Sequence, residues 1–455
     1  MKRVNILFVL LFFMHSIAFS QEMNGDVENN VLEDFGQNEQ GNITNIIETD
    51  KELEEINEEK KDSIVKRIDL PHRIFEIGYS VDVDVSNNYF NAADFLKEHL
   101  VIDFTEISNK ISKKGLSFNF NVTPQFFINL NLKNGFHFNI TTGVESYGEI
   151  NIGKGLFDFL GKGNELNKVI SCNLGVEGDV FAYIGTAFGM NIGDFHFEVM
   201  PSLYMPILHA QANNARARLT NNNDGYTSAK ASATLELYTF SELDSLTSFN
   251  TETILENLKN GWGFDFYSSL EHPILQSLVG KIYSRIPIYP GKLSYVAKTD
   301  ISAEIEIEQM TSLVSDLDSL KKDFNQSDFE YGTASHKIHR PLKIGTEVAW
   351  RPFGKWCVFN AMIGMGMKHP FTSDFHAYFE YNFSASADLF IKNWDMLGIQ
   401  FSTGYINEVF IHSLALTFNL RAIELDVGVS SSAGSFAPSL KLAGAGAYVS
   451  ISFGW

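Results

Sequence analysis

The sequence predicts an all-β protein: a transmembrane antiparallel β-barrel of about 14 strands, within a range of about 12 to 16, with short helical segments in its connections. Three observations support this fold class. The chain begins with an export signal, most of it alternates apolar and polar residues, and its amphipathic last segment ends on Trp455. After the signal, no stretch approaches the roughly 18 consecutive apolar residues of a membrane-spanning helix. Any membrane span would therefore be built from strands.

Residues 1–20 have the three-part layout of a secretory signal peptide. Lys2 and Arg3 precede an apolar run over residues 6–13, and Ala18-Phe19-Ser20 precedes Gln21. We expect cleavage after Ser20. Because no cysteine lies near that position, we expect a mature protein without a lipid anchor.

Residues 21–70 form an acidic N-terminal segment. Between positions 22 and 62 there are fourteen acidic residues against three lysines, and few aromatic side chains. This composition favours a disordered or loosely helical periplasmic spacer, with a periplasmic interaction segment as the alternative. The formal net charge of −20 makes nucleic acid an unfavourable partner.

Residues 71–455 carry the period-two alternation of membrane strands. In residues 73–86, Phe75, Ile77 and Tyr79 alternate with Glu76, Gly78 and Ser80. Further predicted strands cover residues 116–132, 136–144, 170–192, 195–207, 231–240, 262–270, 278–286, 293–307, 342–352, 356–367, 375–389, 397–405, 410–420, 423–429 and 440–455. These are about sixteen segments, and fourteen strands result if some segments are halves of one strand or loop excursions.

The connections alternate between short turns and long polar stretches. Short turns are predicted at residues 134–135, 193–194 and 353–355, and long outer loops at 87–115, 151–168, 209–228 and 309–339. Such asymmetry is typical of outer-membrane barrels. Two connections look helical, residues 92–100 and 243–258, and would either fold inward as a partial plug or pack at a rim.

The polar positions of the alternation predict which side chains face the lumen. The candidate lumen-lining residues are Glu76, Asp82, Asp84, Glu145, Glu177, Asp179, Glu198, Lys281, Arg285, Glu304, Glu306, Glu347, Arg351 and Glu380. Carboxylates outnumber basic residues in this set. Such a lumen, if open to water, would favour cations, and the alternative is a solvated wall with local ion pairs.

No residue pattern predicts a catalytic, cofactor or metal site, so the chain is not expected to be an enzyme. The two histidines of His336-Lys337-Ile338-His339 fall in a predicted outer loop without a neighbouring carboxylate or cysteine pair. Cys172 and Cys357 fall on strand positions assigned to the lipid face. We expect two apolar thiols and no disulfide.

The last strand carries the predicted outer-membrane targeting signal. Val449, Ile451, Phe453 and the terminal Trp455 alternate with small or polar residues. This arrangement resembles the signal that the barrel-assembly machinery recognises in bacterial outer-membrane proteins. We therefore expect export to the outer membrane, with that machinery and outer-membrane lipid as partners.

A segment near the middle of the chain suggests a family. Residues 261–266 (GWGFDF), followed by 270–273 (LEHP) and 286–293 (IPIYPGKL), resemble the hairpin pattern of the long-chain fatty-acid transporter (FadL-like) family. With Asn87-Asn88-Tyr89-Phe90 and the predicted helix after it, the chain also resembles spirochaetal, treponeme-like outer-membrane proteins compared with that family. The resemblance implies a fourteen-stranded barrel with an N-terminal plug and a lateral opening for hydrophobic ligands. Here the residues before the first strand are acidic and polar, and no ligand-binding position carries over.

Three functions follow as hypotheses. The first is a passive channel for small hydrophobic molecules such as long-chain fatty acids, which rests on the resemblance. The second is a general or cation-selective porin, which rests on the acidic lumen. The third is a surface adhesin that displays long loops such as residues 211–230.

Overall fold

The computed structural model describes residues 73–90, 103–113, 115–132, 135–163, 165–222, 227–242, 259, 261–307, 324–372, 375–391, 394–406, 409–434, 436–440 and 444–455. The predicted signal peptide, the acidic segment and the two predicted helices at 92–100 and 243–258 lie outside these residues. All strands belong to one compact unit that spans residues 65–455.

Fourteen antiparallel strands form a closed ring, which confirms the predicted fold class. In ring order they are β1 (Phe75–Asn87), β2 (Leu116–Asn131), β3 (His137–Ile152), β4 (Val169–Ile192), β5 (Phe195–Asn221), β7 (Gly263–Leu275), β8 (Leu278–Tyr289), β12 (Leu342–Trp350), β13 (Cys357–Lys368), β14 (His376–Ile391), β15 (Trp394–Ile406), β16 (Val409–Asn419), β17 (Ile423–Ala433) and β18 (Gly444–Gly454). The ring closes where β18 pairs with β1.

The remaining strands of the described residues extend the sheet beyond the ring. These are β6 (Thr227–Thr239), β9 (Gly291–Ile307), β10 (Phe324–Gln326) and β11 (Glu330–Ile338). The first part of β5 pairs with β7, whereas its last part pairs with β6. β9 then pairs with β6 on one side and with β10 and β11 on the other. We call this group the sheet extension.

The two rims of the barrel differ. The terminal rim is the one at which β1 begins and β18 ends. It carries the short turns at residues 193–194, 276–277 and 351–356, the last with a 3₁₀ turn at Gly354–Trp356. Gly193 and Gly354 adopt positive φ angles of 61° and 82°, which glycine allows without a steric penalty. The opposite, far rim carries the sheet extension and the helices.

The described helices are short and lie in far-rim connections. They are α1 (Phe104–Lys110), α2 (Lys154–Lys162) and α3 (Phe436–Ser439). Asp103 caps α1 by accepting a hydrogen bond from the Glu106 backbone N–H at 3.0 Å. α1 and α2 bury Ile107 and Phe157 in a small apolar cluster. Within the described ranges, no helix combines the length and the apolar content that crossing a membrane requires.

The outside of the ring is apolar. Large exposed side chains include Tyr79, Phe126, Phe188, Ile282, Ile344, Phe359, Phe383, Phe401, Leu414 and Ile451. They alternate with residues that point into the lumen, since successive side chains of a strand face opposite sides. An apolar exterior of this kind is the surface that a barrel presents to lipid.

Two predicted loops are wrong. Residues 209–228 continue β5 and begin β6, and residues 309–339 include β10 and β11, so His336 lies on a strand. The physical reason is that these strands belong to the sheet extension. Because they do not face lipid on one side and the lumen on the other, their residues need not alternate between apolar and polar.

Both cysteines are free and buried, without a disulfide. The lipid-facing position predicted for Cys172 needs correction, because the start of α2 covers this residue. A Cβ atom placed on Gly155 of α2 would lie 3.2 Å from the Cys172 Cβ. The small residue at 155 therefore allows the helix to approach the strand closely.

Candidate functional site: a polar bridge and a cavity in the lumen

Two far-rim connections fold into the lumen. Residues 339–341 join β11 to β12, and residues 369–372 follow β13. Their side chains reach β3, β4 and β5, which lie several strands away around the ring. His369 and Phe371 have positive φ angles of 45° and 71°. This conformation costs a non-glycine residue about 1 to 2 kcal/mol, so the contacts made by these connections must hold it in place.

The first connection places an arginine at the centre of a buried charge network. Arg340 donates from Nη2 to Glu145 at 2.7 Å and from Nη1 to Asp265 at 2.9 Å. Arg285 of β8 donates to the two Glu145 oxygens, each at 3.3 Å. The Tyr183 ring lies 4.5 Å from the Arg340 guanidinium carbon. We call Arg340, Arg285, Glu145 and Asp265 the arginine bridge.

The arginine bridge balances two cations with two carboxylates. The Arg340 side chain is 5% exposed and that of Asp265 is fully buried. Burial alone would lower the Arg340 pKa, but the Glu145 and Asp265 carboxylates outweigh this effect and raise the pKa above its usual range. Arg340 therefore stays charged, and removal of any one member would leave the buried network with an unbalanced charge.

The second connection contributes to a cluster of histidines and carboxylates. His369 Nε2 lies 2.9 Å from Glu177 Oε1 and 3.8 Å from Asp179 Oδ2. His209 Nδ1 lies 2.7 Å from Asp179 Oδ1. The His336 ring stacks on the His209 ring at 4.8 Å between centroids and 11° between planes. We call Glu177, Asp179, His209, His336 and His369 the histidine cluster.

His336 and His369, the two histidines of the cluster that do not lie on strands of the barrel ring, differ in how readily they are protonated. Burial, together with the neighbouring His209, lowers the pKa of His336 to about 4, so this ring is neutral at pH 7. Burial also lowers the His369 pKa, but the hydrogen bond to Glu177 and the charge of Asp179 outweigh it and raise that pKa. His369 thus retains a proton more readily than His336.

Three members of the histidine cluster could hold a metal ion. Asp179, His209 and His369 each offer one ligand atom, and these atoms all lie within 4.8 Å of one another. The sequence predicted no metal site because these residues are far apart along the chain and two of them lie in predicted connections.

A cavity of about 600 Å³ lies beside the arginine bridge. Its volume falls in the range of roughly 300 to 1,000 Å³ that is typical of small-molecule sites. Apolar lining residues include Tyr378, Ile406, Val409, Ile411 and Tyr448, and polar ones include Asp82, Asp84, Asn119 and Asn121. Lys343 and Lys368 complete the lining with two cations. The cavity therefore offers apolar surface, carboxylates and ammonium groups to one ligand.

The structure brings together several candidate lumen residues. Glu145 and Arg285 meet in the arginine bridge, Glu177 and Asp179 meet in the histidine cluster, and Asp82 and Asp84 line the cavity with Glu145. Glu380 lies 3.7 Å from Lys343 and accepts a hydrogen bond from Tyr283 at 3.4 Å. These residues form connected polar groups within the barrel.

The other candidate lumen residues lie apart from these groups. Near the terminal rim, Glu76 accepts a hydrogen bond from Asn129 at 2.9 Å, Glu198 lies 3.8 Å from His137, and Arg351 follows β12. Lys281 lies opposite Glu347 in the β8–β12 pairing. Glu304 and Glu306 lie on β9 in the sheet extension, where Glu304 forms an exposed ion pair with Lys230.

The sequence-based selection of lumen residues did not include Arg340, Asp265, His209 or His369, and it assigned His336 to an outer loop. The sequence signal that could have identified Arg340 and His369 is a charged or titratable residue directly before proline in a connection, as in Arg340-Pro341 and His369-Pro370. Proline restricts the conformation of the residue before it to the extended region. His369 departs from that rule with its positive φ angle, which only the structure reveals.

The predicted targeting residues lie on the closing strand. Val449, Ile451, Phe453 and Trp455 are all exposed on the outside of β18 or at its end. The Trp455 carbonyl accepts a hydrogen bond from the Ile74 N–H at 2.7 Å, and its ring lies 5.0 Å from that of Phe75. Recognition of this strand by the assembly machinery stays a prediction.

No family model matches this chain. No curated protein matches it significantly either. Several solved structures are similar. The deltaS2S3 mutant of the monoaromatic hydrocarbon channel TodX has a TM-score of 0.44 at 9% identity, with 85% of this chain and 91% of that chain covered.

Two other solved structures show weaker similarity. The Ralstonia pickettii toluene transporter TbuX has a TM-score of 0.39 at 8% identity, covering 85% of this chain and 90% of that one. A Pseudomonas aeruginosa FadL homologue has a TM-score of 0.40 at 9% identity, covering 83% and 88%. At such low TM-scores and identities, these similarities identify neither the family nor the cargo of this chain.

Proposed function

We propose that this protein is an outer-membrane channel through which small hydrophobic or amphiphilic molecules, such as long-chain fatty acids, pass down their concentration gradient. The observation that carries the proposal is the cavity of about 600 Å³ beside the arginine bridge. Such a volume, bounded partly by aliphatic and aromatic side chains, suits a small organic ligand better than a stream of hydrated ions.

The two lysines of the cavity favour a ligand with an acidic head group. The Lys368 ammonium lies 4.9 Å from the centre of the Tyr147 ring and 4.0 Å from Glu149, and the Lys343 ammonium lies 3.7 Å from Glu380. Ile406, Val409 and Ile411 supply an aliphatic wall in the same cavity. A long-chain carboxylate could place its head near the lysines and its chain against that wall.

Binding measurements on the purified protein in detergent test this proposal. We expect a fluorescent long-chain carboxylate to bind more tightly than the uncharged alcohol of the same chain length. The double variant Lys343→Met/Lys368→Met should lose that preference by about tenfold, since a charge-assisted hydrogen bond contributes roughly 1.5 to 3 kcal/mol. Lys281→Met is the matched control, because Lys281 lies on the barrel wall outside the cavity lining.

Cellular uptake provides an independent test. Fatty-acid uptake that is equal in a deletion strain and its parent would rule out the transport role. Equal binding of the carboxylate to the double variant and to the Lys281 variant would remove the role of the cavity lysines.

A cation-selective porin is the second candidate function. Its support is the pair Asp82 and Asp84, which line the cavity from β1. Planar-bilayer recordings should then show conductance with a preference for cations that falls in the Asp82→Asn/Asp84→Asn variant. An absence of conductance would exclude this function. The adhesin hypothesis and the likeness to spirochaetal proteins stay predictions from the sequence.

The proposed location is the outer membrane, reached after cleavage behind Ser20. In this setting the apolar exterior would contact outer-membrane lipid, and the acidic segment of residues 21–70 would lie in the periplasm. Fractionation of cells tests the outer-membrane location, and N-terminal sequencing of the mature protein tests the cleavage behind Ser20. Recovery in the inner membrane, or an intact N-terminus, would contradict them.

A further inference from the structure

We propose that Asp179, His209 and His369 form a binding site for a divalent transition-metal ion, for which zinc is the representative ligand. None of the three residues lines the proposed ligand cavity, and the existence of the metal site does not depend on the transport proposal. It would fasten the connection after β13 to strands β4 and β5 on another part of the ring.

The donor set suits such an ion. Two imidazole nitrogens and one carboxylate oxygen, all within 4.8 Å of one another, come from three separate elements of the fold. Zinc binds imidazole nitrogen and carboxylate oxygen at about 2.0 to 2.2 Å, and this kind of set also suits nickel, copper and ferrous iron.

A buried oxygen without a partner supplies the second observation. Asp179 is fully buried, and its Oδ2 atom makes no hydrogen bond among the described residues. The same atom lies 3.8 Å from His369 Nε2. Because burying an unsatisfied carboxylate oxygen is costly, a cation at this point would remove a penalty that the protein side chains leave in place.

The surroundings of the ligands also fit. The His209 Nε2 atom lies 3.3 Å from Gln211 Oε1, whereas its Nδ1 atom faces Asp179. A metal-bound histidine usually donates its other ring N–H to an oxygen acceptor, which fixes the orientation of the ring. Glu177 Oε1 lies 2.9 Å from His369 Nε2 and could provide a further carboxylate ligand. The His336 ring packs against His209 and limits its rotation.

Metal titration of the tag-free full-length protein, folded in detergent and stripped with a chelator, tests the proposal. We expect one Co²⁺ per chain with visible absorption bands, and displacement of Co²⁺ by one equivalent of Zn²⁺. Asp179→Asn, His209→Gln and His369→Gln should each weaken binding at least about thirtyfold. His137→Gln should bind as the wild type does, although His137 also lies beside a carboxylate, Glu198 at 3.8 Å.

The proposal fails if Co²⁺ does not bind at about 100 μM, or if the three cluster variants bind it as tightly as His137→Gln does. If a cluster variant does not fold, zinc X-ray absorption on the wild type decides. Outer-shell scattering from two imidazoles is expected, and a zinc environment without imidazole would overturn the proposal.

Discussion

The two halves of the barrel wall are built differently. In the regular half, from β13 through β18 to β3, each strand pairs with its neighbours in sequence around the closure at β1. In the branched half, from β4 to β12, one strand has successive partners, since β5 pairs with β7 near the terminal rim and with β6 beyond it. β8 pairs with β12, which is distant in sequence.

The two halves also differ in the side chains that they turn towards the lumen. The regular half turns serines inward, such as Ser430, Ser450 and Ser452, together with the cavity carboxylates Asp82 and Asp84. The branched half supplies most members of the arginine bridge and the histidine cluster, whose charges are buried. Charges buried in a low-dielectric interior must be paired, so specific partners fix more positions in the branched half than in the regular half. The comparison suggests that the branched half supplies most of the buried charge networks, whereas the regular half supplies most of the lining of the proposed ligand cavity.

Removing Arg340 should have the largest effect. Arg340→Met leaves Asp265 buried without its cation and Glu145 with Arg285 alone, so we expect a loss of about 3 to 5 kcal/mol in the free energy of unfolding. Urea titration of the protein in lipid vesicles measures this loss. The regular half offers a matched control in Arg73, which lies 3.5 Å from both Glu76 and Glu424 at the terminal rim.

Arg73→Met should cost clearly less than Arg340→Met, because its ion pairs are longer and closer to solvent. Equal losses in the two variants would mean that the two halves do not differ in how much they depend on buried charge.

Close packing should also matter at the branch point, where β5 changes its partner from β7 to β6. A Cβ atom on Gly263, where β7 begins, would lie 2.3 Å from Tyr204 Cζ and 2.6 Å from the Gly291 backbone nitrogen. Tyr204 is fully buried, and its hydroxyl donates to the Tyr289 carbonyl at 2.9 Å. Gly263→Ala should therefore destabilise the protein by about 1 to 3 kcal/mol in the same urea titration.

Gly428→Ala is the control for this prediction in the regular half. Its nearest contacts would be 3.3 Å to the Ala415 Cβ and 3.4 Å to the Leu414 carbonyl oxygen. We expect a change within about 0.5 kcal/mol. A loss at Gly428 as large as that at Gly263 would show that the close contact with Tyr204 is not the cause of the loss at Gly263.

The difference between the halves also explains what the sequence could predict. The strands of the regular half follow short turns and alternate between lipid and lumen, so β16 (Val409–Asn419) lies within one residue of its predicted bounds at either end. β11 (Glu330–Ile338) was not predicted, because its position depends on pairing with β9 and not on a lipid-facing pattern. Local periodicity carries no information about such long-range pairing.

The candidate sites show the same limit. Alternation placed Glu145, Glu177 and Asp179 among the interior residues, but their partners Arg340 and His369 come from connections. A connection that leaves the barrel wall does not alternate apolar and polar residues, so its inward side chains could not be selected from the sequence. Two of the four residues of the arginine bridge and two of the five residues of the histidine cluster were therefore predicted, and the residues that the connections supply were not.

The smallest expected effect lies in the sheet extension and depends on pH. Glu236 of β6 forms an ion pair with Lys298 and accepts hydrogen bonds from Gln211 at 2.9 Å and from Tyr238 at 2.8 Å. Burial would raise the Glu236 pKa, but these partners outweigh it and lower the pKa from 4.5 to about 2. The stabilisation is thus fully present above pH 4.5 and is lost as the pH falls towards 2.

Urea titrations of the wild type and Glu236→Gln from pH 6 to pH 2 isolate this contribution, because all other carboxylates are common to both proteins. The wild type should lose more stability between pH 4.5 and pH 2, by about 1 kcal/mol or less, since the Lys298 side chain is 43% exposed and solvent screens the pair. If the difference is instead as large as the loss in Arg340→Met, ion pairs of the extension stabilise the branched half as strongly as the arginine bridge does. In that case the branched half would depend on ion pairs both inside and outside the lumen. Burial of charge in the lumen would then not explain why the two halves differ in stability.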